Sequence, residues 1–114
     1  MNQHCIFCKI LKGEIPGDIL YRDDHCFVIN DISPRAPVHL LVIPKQHLVN
    51  LPDTTPLHAL VLSSMFVAVT EMAKHKDLSE NGFRLVINQG QHSGQQVPHL
   101  HMHLLGGESL GDMC

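Results

Sequence analysis

His99-Leu100-His101-Met102-His103-Leu104-Leu105 alternates imidazoles with apolar side chains. An extended strand sends successive side chains to opposite faces. The run therefore puts three histidines on one face and Leu100, Met102 and Leu104 on the other. The apolar face is a piece of core, and the imidazole face is a row of titratable nitrogens. The stretch predicts a strand of a sheet that carries core on one side and chemistry on the other.

Outward from it, Gly82 to Asn88 (GFRLVIN) reads as another strand, joined to the histidine run by a polar, glycine-bearing loop that ends at Pro98. At the other end, Cys5 to Lys12 reads as a short helix closed by Gly13, which suits a left-handed terminal position. Ile15 to Asp18 is a turn. Ile19 to Arg22 and Cys26 to Asn30 read as strands of a hairpin turning at Asp23-Asp24. Asp31 to Val38, with Pro34 and Pro37, is an ordered loop. His39 to Ile43 is a strand closed by Pro44.

The one long helix has Thr55 as N-terminal cap, Pro56 in the first helical position, and Lys74 and Lys76 at the negative end of its dipole. Leu57, Val61, Leu62, Met65, Phe66, Ala68, Val69 and Met72 cover an arc of roughly 180°, whereas packing on a sheet needs only about 100°. The excess predicts a second buried face against another copy of the chain. A generous helix-rich core is the other reading. The expected fold class is α+β: a five-stranded, mainly antiparallel sheet with one long helix and a short N-terminal helix, residues 1–114 forming a single domain.

A chain of 114 residues that is 44% hydrophobic is large enough to bury a core. Its net charge is −3 with no basic block, which argues against nucleic-acid binding. The longest apolar stretch, Leu57 to Met72, is broken by serines, threonine and glutamate, so no membrane span is expected. The N-terminus lacks the series of a signal peptide, and the chain is expected to be cytoplasmic. There the four cysteines, Cys5, Cys8, Cys26 and Cys114, stay reduced unless a metal claims them.

His101, the middle histidine, is the candidate nucleophile, because neutral imidazole attacks acyl and phosphoryl centres. The loop Asn88 to Gln96 is rich in amides and glycine, and backbone N–H groups around Gly94 could cradle an anion beside it. A metal site or a hydrogen-bonded core row fits three alternating histidines equally well. Cys5 and Cys8, spaced i, i+3, fit zinc with His47 and His99 completing a tetrahedral set, or two small thiols packing a helix. A thioredoxin-like redox site would instead need CxxC just after a strand. Asp31 in Asp31-Ile32-Ser33-Pro34 could accept hydrogen bonds from a ribose diol, or simply start a turn.

HLHMHLL matches the signature of the histidine triad (HIT) superfamily. CIFCKILKGEIP, NDISPRAPVHLLVIPKQH, GFRLVINQG and SGQQVPHLHMHLLGG resemble, in order and spacing, its Hint branch of purine nucleoside phosphoramidases, from about Cys5 to Gly107. The resemblance implies a homodimer whose two sheets join into one. It implies hydrolysis of a nucleoside monophosphate, AMP above all, from an amine or related leaving group through a nucleotidyl-histidine. His101 would attack phosphorus, His103 would bond a non-bridging oxygen, and His39 would back them. Asn88, Gly94, Gln96 and Val97 would hold the phosphate, Asp31 the ribose, and Ile29, Asn30 and Ile32 would lie beside the base. Retention of Cys5, Cys8, His47 and His99 resembles the zinc-bound relatives and implies a structural ion, while catalysis needs no divalent metal. Gln96 stands where many relatives have serine, Pro98 where many have an aromatic, and the tail ends early at Gly111-Asp112-Met113-Cys114. The other readings are a dinucleoside polyphosphate hydrolase, a non-catalytic nucleotide- or zinc-binding regulator, and a redox protein using Cys5 and Cys8.

Overall fold

A computed structural model describes residues 4–113. Its centre is β3, Val38–Pro44, whose sequence VHLLVIP is apolar at successive positions because both faces of the strand are covered. Leu40 and Val42 point to one side, Leu41 and Ile43 to the other. On one flank β3 pairs with β2 (Cys26–Asn30), and β2 with β1 (Ile19–Arg22). On the other it pairs with β5 (Met102–Gly106), and β5 with β4 (Phe83–Val86). The order β1-β2-β3-β5-β4 is antiparallel throughout, as the α+β reading requires.

The register explains how the two faces differ. Leu40 faces Leu104 and Val42 faces Met102, a fully buried layer against the long helix α2, Ala59–His75. Full burial of such side chains contributes roughly 1.5–3 kcal/mol each. One residue out of phase, Leu41 faces His103. That second face is covered by the short helix α1, Ile6–Leu11, whose Phe7 and Cys8 pack with Phe27, Ile29, Leu41 and Ile43. Histidines and α1 thus share one side, and α2 takes the other.

Several elements begin elsewhere than the sequence pattern predicts. Cys5 caps α1 rather than opening it, while Gly13 has φ +80° as expected. Pro56–His58 form a 3-10 turn before α2. Thr55 does cap it, accepting the Leu57 N–H at 3.2 Å, and the His58 ring accepts the Thr55 N–H at 2.9 Å. β4 is shorter than Gly82 to Asn88.

The largest correction concerns the histidine run. β5 starts only at Met102, so His103 alone of the three lies within it. Pro98 has no N–H, the Leu100 N–H turns away to the Leu48 carbonyl (2.6 Å), and the Pro44 carbonyl is taken by the His99 ring. The ladder therefore stops at the Val42–Met102 pair. The apolar half of the prediction survives, since Leu100, Met102 and Leu104 all enter the core beneath α2.

Met65, Ala68, Val69, Met72 and Ala73 form the inner side of α2, while Leu57, Leu60, Phe66 and Val67 stay exposed. By length and composition Pro56–His75 would also pass for a membrane span, with mean hydropathy 1.4. Here it lies across β2 and β3 with its inner side in the core. Cys114 lies outside the described residues.

Candidate functional site

His99 is the residue around which one end of the sheet is organised. Its Nε2–H donates to the Pro44 carbonyl at 2.8 Å, which leaves the Nδ1 lone pair free in the neutral ring. That lone pair faces the thiols of Cys5 (3.2 Å) and Cys8 (3.7 Å), and the Cys8 thiol lies 3.3 Å from Nδ1 of His47. The four candidate ligand atoms lie within 4.8 Å of one another, with His47 half-buried and the other three residues buried. Burial holds the His99 ring well below the ordinary imidazole range, to about 4, so it keeps its lone pair. Two thiols and two imidazoles converging from three separate segments form a donor set suited to zinc. The structure thus brings together all four sequence-predicted ligands.

The second cluster holds the other two histidines of the run together with His39. His101 lies 7% exposed, with Nδ1 2.7 Å from the His99 carbonyl. A carbonyl only accepts, so Nδ1 carries the proton and Nε2 carries the free lone pair. At His39 the arrangement is reversed. The Arg35 backbone N–H donates to its Nδ1 at 3.1 Å, which places the ring proton on Nε2. That Nε2–H donates to Nδ1 of His103 at 2.8 Å, leaving the His103 proton on its own Nε2.

Burial, then the nearby His101 and His39 charges, push the His103 ring down to about 4, with Arg35 adding slightly and Asp31 opposing. His39 is lowered by burial against the opposing pull of Asp31. Both are neutral near pH 7. The His101 and His103 ring centres are 5.2 Å apart, so a ring with a free lone pair stands beside one with a free N–H.

Asp31 joins this cluster. Its Oδ1 accepts the Ser33 N–H at 2.8 Å, making the predicted turn, and its Oδ2 lies 3.4 Å from Nε2 of His39. Of its neighbours, Asn30 is exposed, Ile32 is 94% exposed and Ile29 is buried among Phe27 and Leu41. Only Ile29 therefore contributes to the interior surface.

The loop from Asn88 to Pro98 needs glycine at Gly90 and Gly94, both at φ +80°. Gly94 and Gln96 are exposed, and Asn88 and Val97 half-buried. Among the described residues, the amides of Gln96 and Val97 donate to no protein acceptor and remain available to an anion. Sequence reasoning missed what shapes this loop. Gln95 Oε1 accepts from the Gly90 N–H (2.8 Å) and from Gln89 Nε2 (3.2 Å), while its Nε2 donates to the Val97 carbonyl (3.1 Å). Gln89 Oε1 in turn accepts the Leu51 N–H. Also missed was Phe7, edge-on to both His99 and His101 with ring centres 5.6 and 5.1 Å away. Its position between two cysteines was the available signal. Burial pushes the Cys26 thiol up to about 12, so it is inert.

This arrangement accompanies a family relationship. The HIT domain family matches residues 12–110. The chain belongs to the HIT family. This HIT protein is 42% identical over 113 residues to the purine nucleoside phosphoramidase of Escherichia coli K12, covering 99% of this chain and 95% of that one. It is 49% identical over 110 residues, 96% of each chain, to an uncharacterized HIT-like protein of Synechococcus elongatus. Among solved structures, the HIT family hydrolase from Clostridium thermocellum superposes with a TM-score of 0.94 at 42% identity, covering 98% of this chain and 97% of that one. The HIT protein is accordingly an enzyme, a HIT-type nucleotide hydrolase.

Proposed function

We propose that this HIT protein releases purine nucleoside monophosphates, AMP foremost, from phosphoramidates and related leaving groups, with His101 as nucleophile. One observation carries the reading: the His99 carbonyl holds the proton of His101 on Nδ1, so Nε2 presents its lone pair. Nε2 attacks the α-phosphorus, the P–N bond breaks, and the departing amine takes up one proton from water, which the second step restores to solvent. The nucleotidyl imidazole is then cationic, and its Nδ1–H hydrogen bond to the carbonyl strengthens as that charge develops. Water attacks phosphorus in a second step, releases the nucleoside monophosphate and imidazole, and returns the proton. The N–H on His103 Nε2 donates to a non-bridging oxygen, and the Gln96 and Val97 amides bond the others. Asp31 accepts from the ribose hydroxyls, with Ile29 on the base side.

Cys5, Cys8, His47 and His99 would hold zinc, supplying a structural cross-link between α1 and the sheet. The exposed Leu57 of the 3-10 turn and Leu60, Phe66 and Val67 of α2, with Phe83 on the edge strand β4, support a homodimer whose partner covers them. No basic patch recommends nucleic acid, and the apolar length of α2 is accounted for by the sheet and the partner copy. A cytoplasmic location fits thiols that stay reduced.

The test is turnover of a fluorogenic adenosine phosphoramidate by wild type and His101→Ala, with mass spectrometry of acid-free quenched samples for a nucleotidyl adduct. AMP release lost in the variant, with an adduct on the His101 peptide of wild type, is the expected result. Release that survives the substitution assigns the chemistry elsewhere. A folded wild type that releases nothing removes the phosphoramidase reading.

A further inference from the structure

The two histidine clusters are not independent, because His99 belongs to both. Its ring turns Nδ1 to the Cys5 and Cys8 thiols and donates Nε2–H to Pro44, while its main-chain carbonyl fixes the His101 proton. The following residue, Leu100, is tied by its N–H to the Leu48 carbonyl at 2.6 Å, next to His47. The segment 97–101 is thus pinned to the segment 44–48 at His99 and at Leu100. The third participant is α1, which supplies Cys5 and Cys8 and carries Phe7 between them onto the His101 ring.

We propose that the Cys5–Cys8–His47–His99 centre, when it holds its ion, positions the nucleophile: His99 is the coupling residue, and Phe7 is the wedge. The His99 ring, fixed as a ligand, would hold the peptide carbonyl that keeps His101 in the form with Nε2 free. Cys5 and Cys8, held as ligands of the same ion, would keep Phe7 edge-on against the His101 imidazole. Without an ion, only hydrogen bonds with sulfur, which are weak, would link the His99 Nδ1 to the two thiols. The His99 carbonyl and Phe7 are then free to drift, and His101 can rotate or move its proton. His99 and Phe7 act through His101 and touch no reacting atom, so both are positioning residues. The inference rests on His101 being the nucleophile.

The experiment compares zinc-loaded wild type, wild type stripped by a chelator, and Cys8→Ser, at a temperature where circular dichroism shows each folded. Nitrogen-15 NMR of the histidine rings reads the tautomer of His101, metal analysis reads occupancy, and kcat and KM are taken separately on the phosphoramidate. The loaded protein shows His101 protonated on Nδ1 alone. The stripped protein and Cys8→Ser show an averaged pair of tautomers, with kcat down about 10- to 100-fold, as for other shells around a metal ligand. KM stays within about threefold. Reloading the stripped wild type restores both tautomer and kcat.

A metal-free, folded protein that keeps the single tautomer and a kcat within about twofold of wild type overturns the proposal and leaves the ion a structural staple only. If metal loss unfolds both samples, Phe7→Leu, which keeps all four ligands, decides. Bound zinc with a mobile His101 ring and lowered kcat supports the coupling, whereas an unchanged tautomer and kcat overturn it. If no form turns over phosphoramidate, the functional reading fails, while the tautomer comparison still decides whether the centre orients His101.

Discussion

Replacing His103 by asparagine should flatten the acid side of the protein's stability curve. In the native state burial, reinforced by the His101 and His39 charges, holds the His103 ring at about 4, with Arg35 acting the same way and Asp31 opposing. In the unfolded chain an imidazole titrates near 6.5. Between those values the unfolded state binds a proton that the native state does not, so stability rises with pH there. The contribution is fully present above about pH 6.5 and is lost as pH falls through about 4. The full gap corresponds to about 3 kcal/mol, reduced to roughly 2 because the ring keeps some contact with solvent. The asparagine side chain would not titrate, and its amide oxygen can still accept the His39 Nε2–H. Urea unfolding monitored by circular dichroism between pH 7 and 4.5 gives the free energy of each protein at each pH. The difference between wild type and His103→Asn should shrink by roughly 2 kcal/mol over that range, since effects common to both, including loss of the ion, cancel. A difference that stays constant, or grows toward acid, refutes the account of His103 as a ring kept neutral by its surroundings.

Other consequences follow from particular contacts. Gln95→Ala removes three hydrogen bonds that brace the 88–98 loop, so KM for the phosphoramidate should rise roughly fivefold, about 1 kcal/mol, with kcat little changed. The opposite split would place Gln95 in the chemistry. Phe66→Asp puts a charge on the exposed side of α2, where Phe66 is 54% exposed. Light scattering should then give a mass near 12.7 kDa where wild type gives twice that, and two equal masses would remove the helix from the dimer interface. Chelation should lower the melting temperature in proportion to the zinc released. An unchanged melting temperature in demonstrably metal-free protein would deny the cross-link between α1 and the sheet.

Local periodicity made much of the fold legible. The apolar runs of β2 and β3, the alternation of β5 and the wide apolar arc of α2 are short-range patterns, and each predicts what is covered. Thr55 and Gly13 were readable for the same reason, since a cap and a left-handed turn depend on residues close in sequence. What escaped were side chains that satisfy backbone groups of distant segments. The His99 ring takes the Pro44 carbonyl from 55 positions away, which ends β5 early in a way no pattern within residues 99–105 can reveal. Gln89 accepting the Leu51 N–H is of the same kind, while the His58 ring completing the cap of the turn before α2, Gln95 bracing the loop and Asp31 beside His39 depend on side-chain geometry that no apolar pattern encodes. Here the resemblance to a family named the residues in advance, but the structure supplies who donates to whom.

That distinction matters most within the triad itself. Three identical side chains, two residues apart, differ in function because different carbonyls and amides hold their second nitrogen. Pro44 takes Nε2–H of His99 and frees Nδ1 for the thiols. The His99 carbonyl takes Nδ1–H of His101 and leaves Nε2 with its lone pair. His39, itself fixed by the Arg35 amide, donates to Nδ1 of His103 and leaves a proton on its Nε2. On the proposed reading one ring is thereby a metal ligand, the next a nucleophile and the third a hydrogen-bond donor. Had the run continued as a regular strand through His99, that residue would sit in the row and face the same site as the other two. The break in the ladder at Met102 lets one alternating sequence serve two neighbouring clusters, the Cys/His donor set and the proposed active site, joined through the His99 carbonyl.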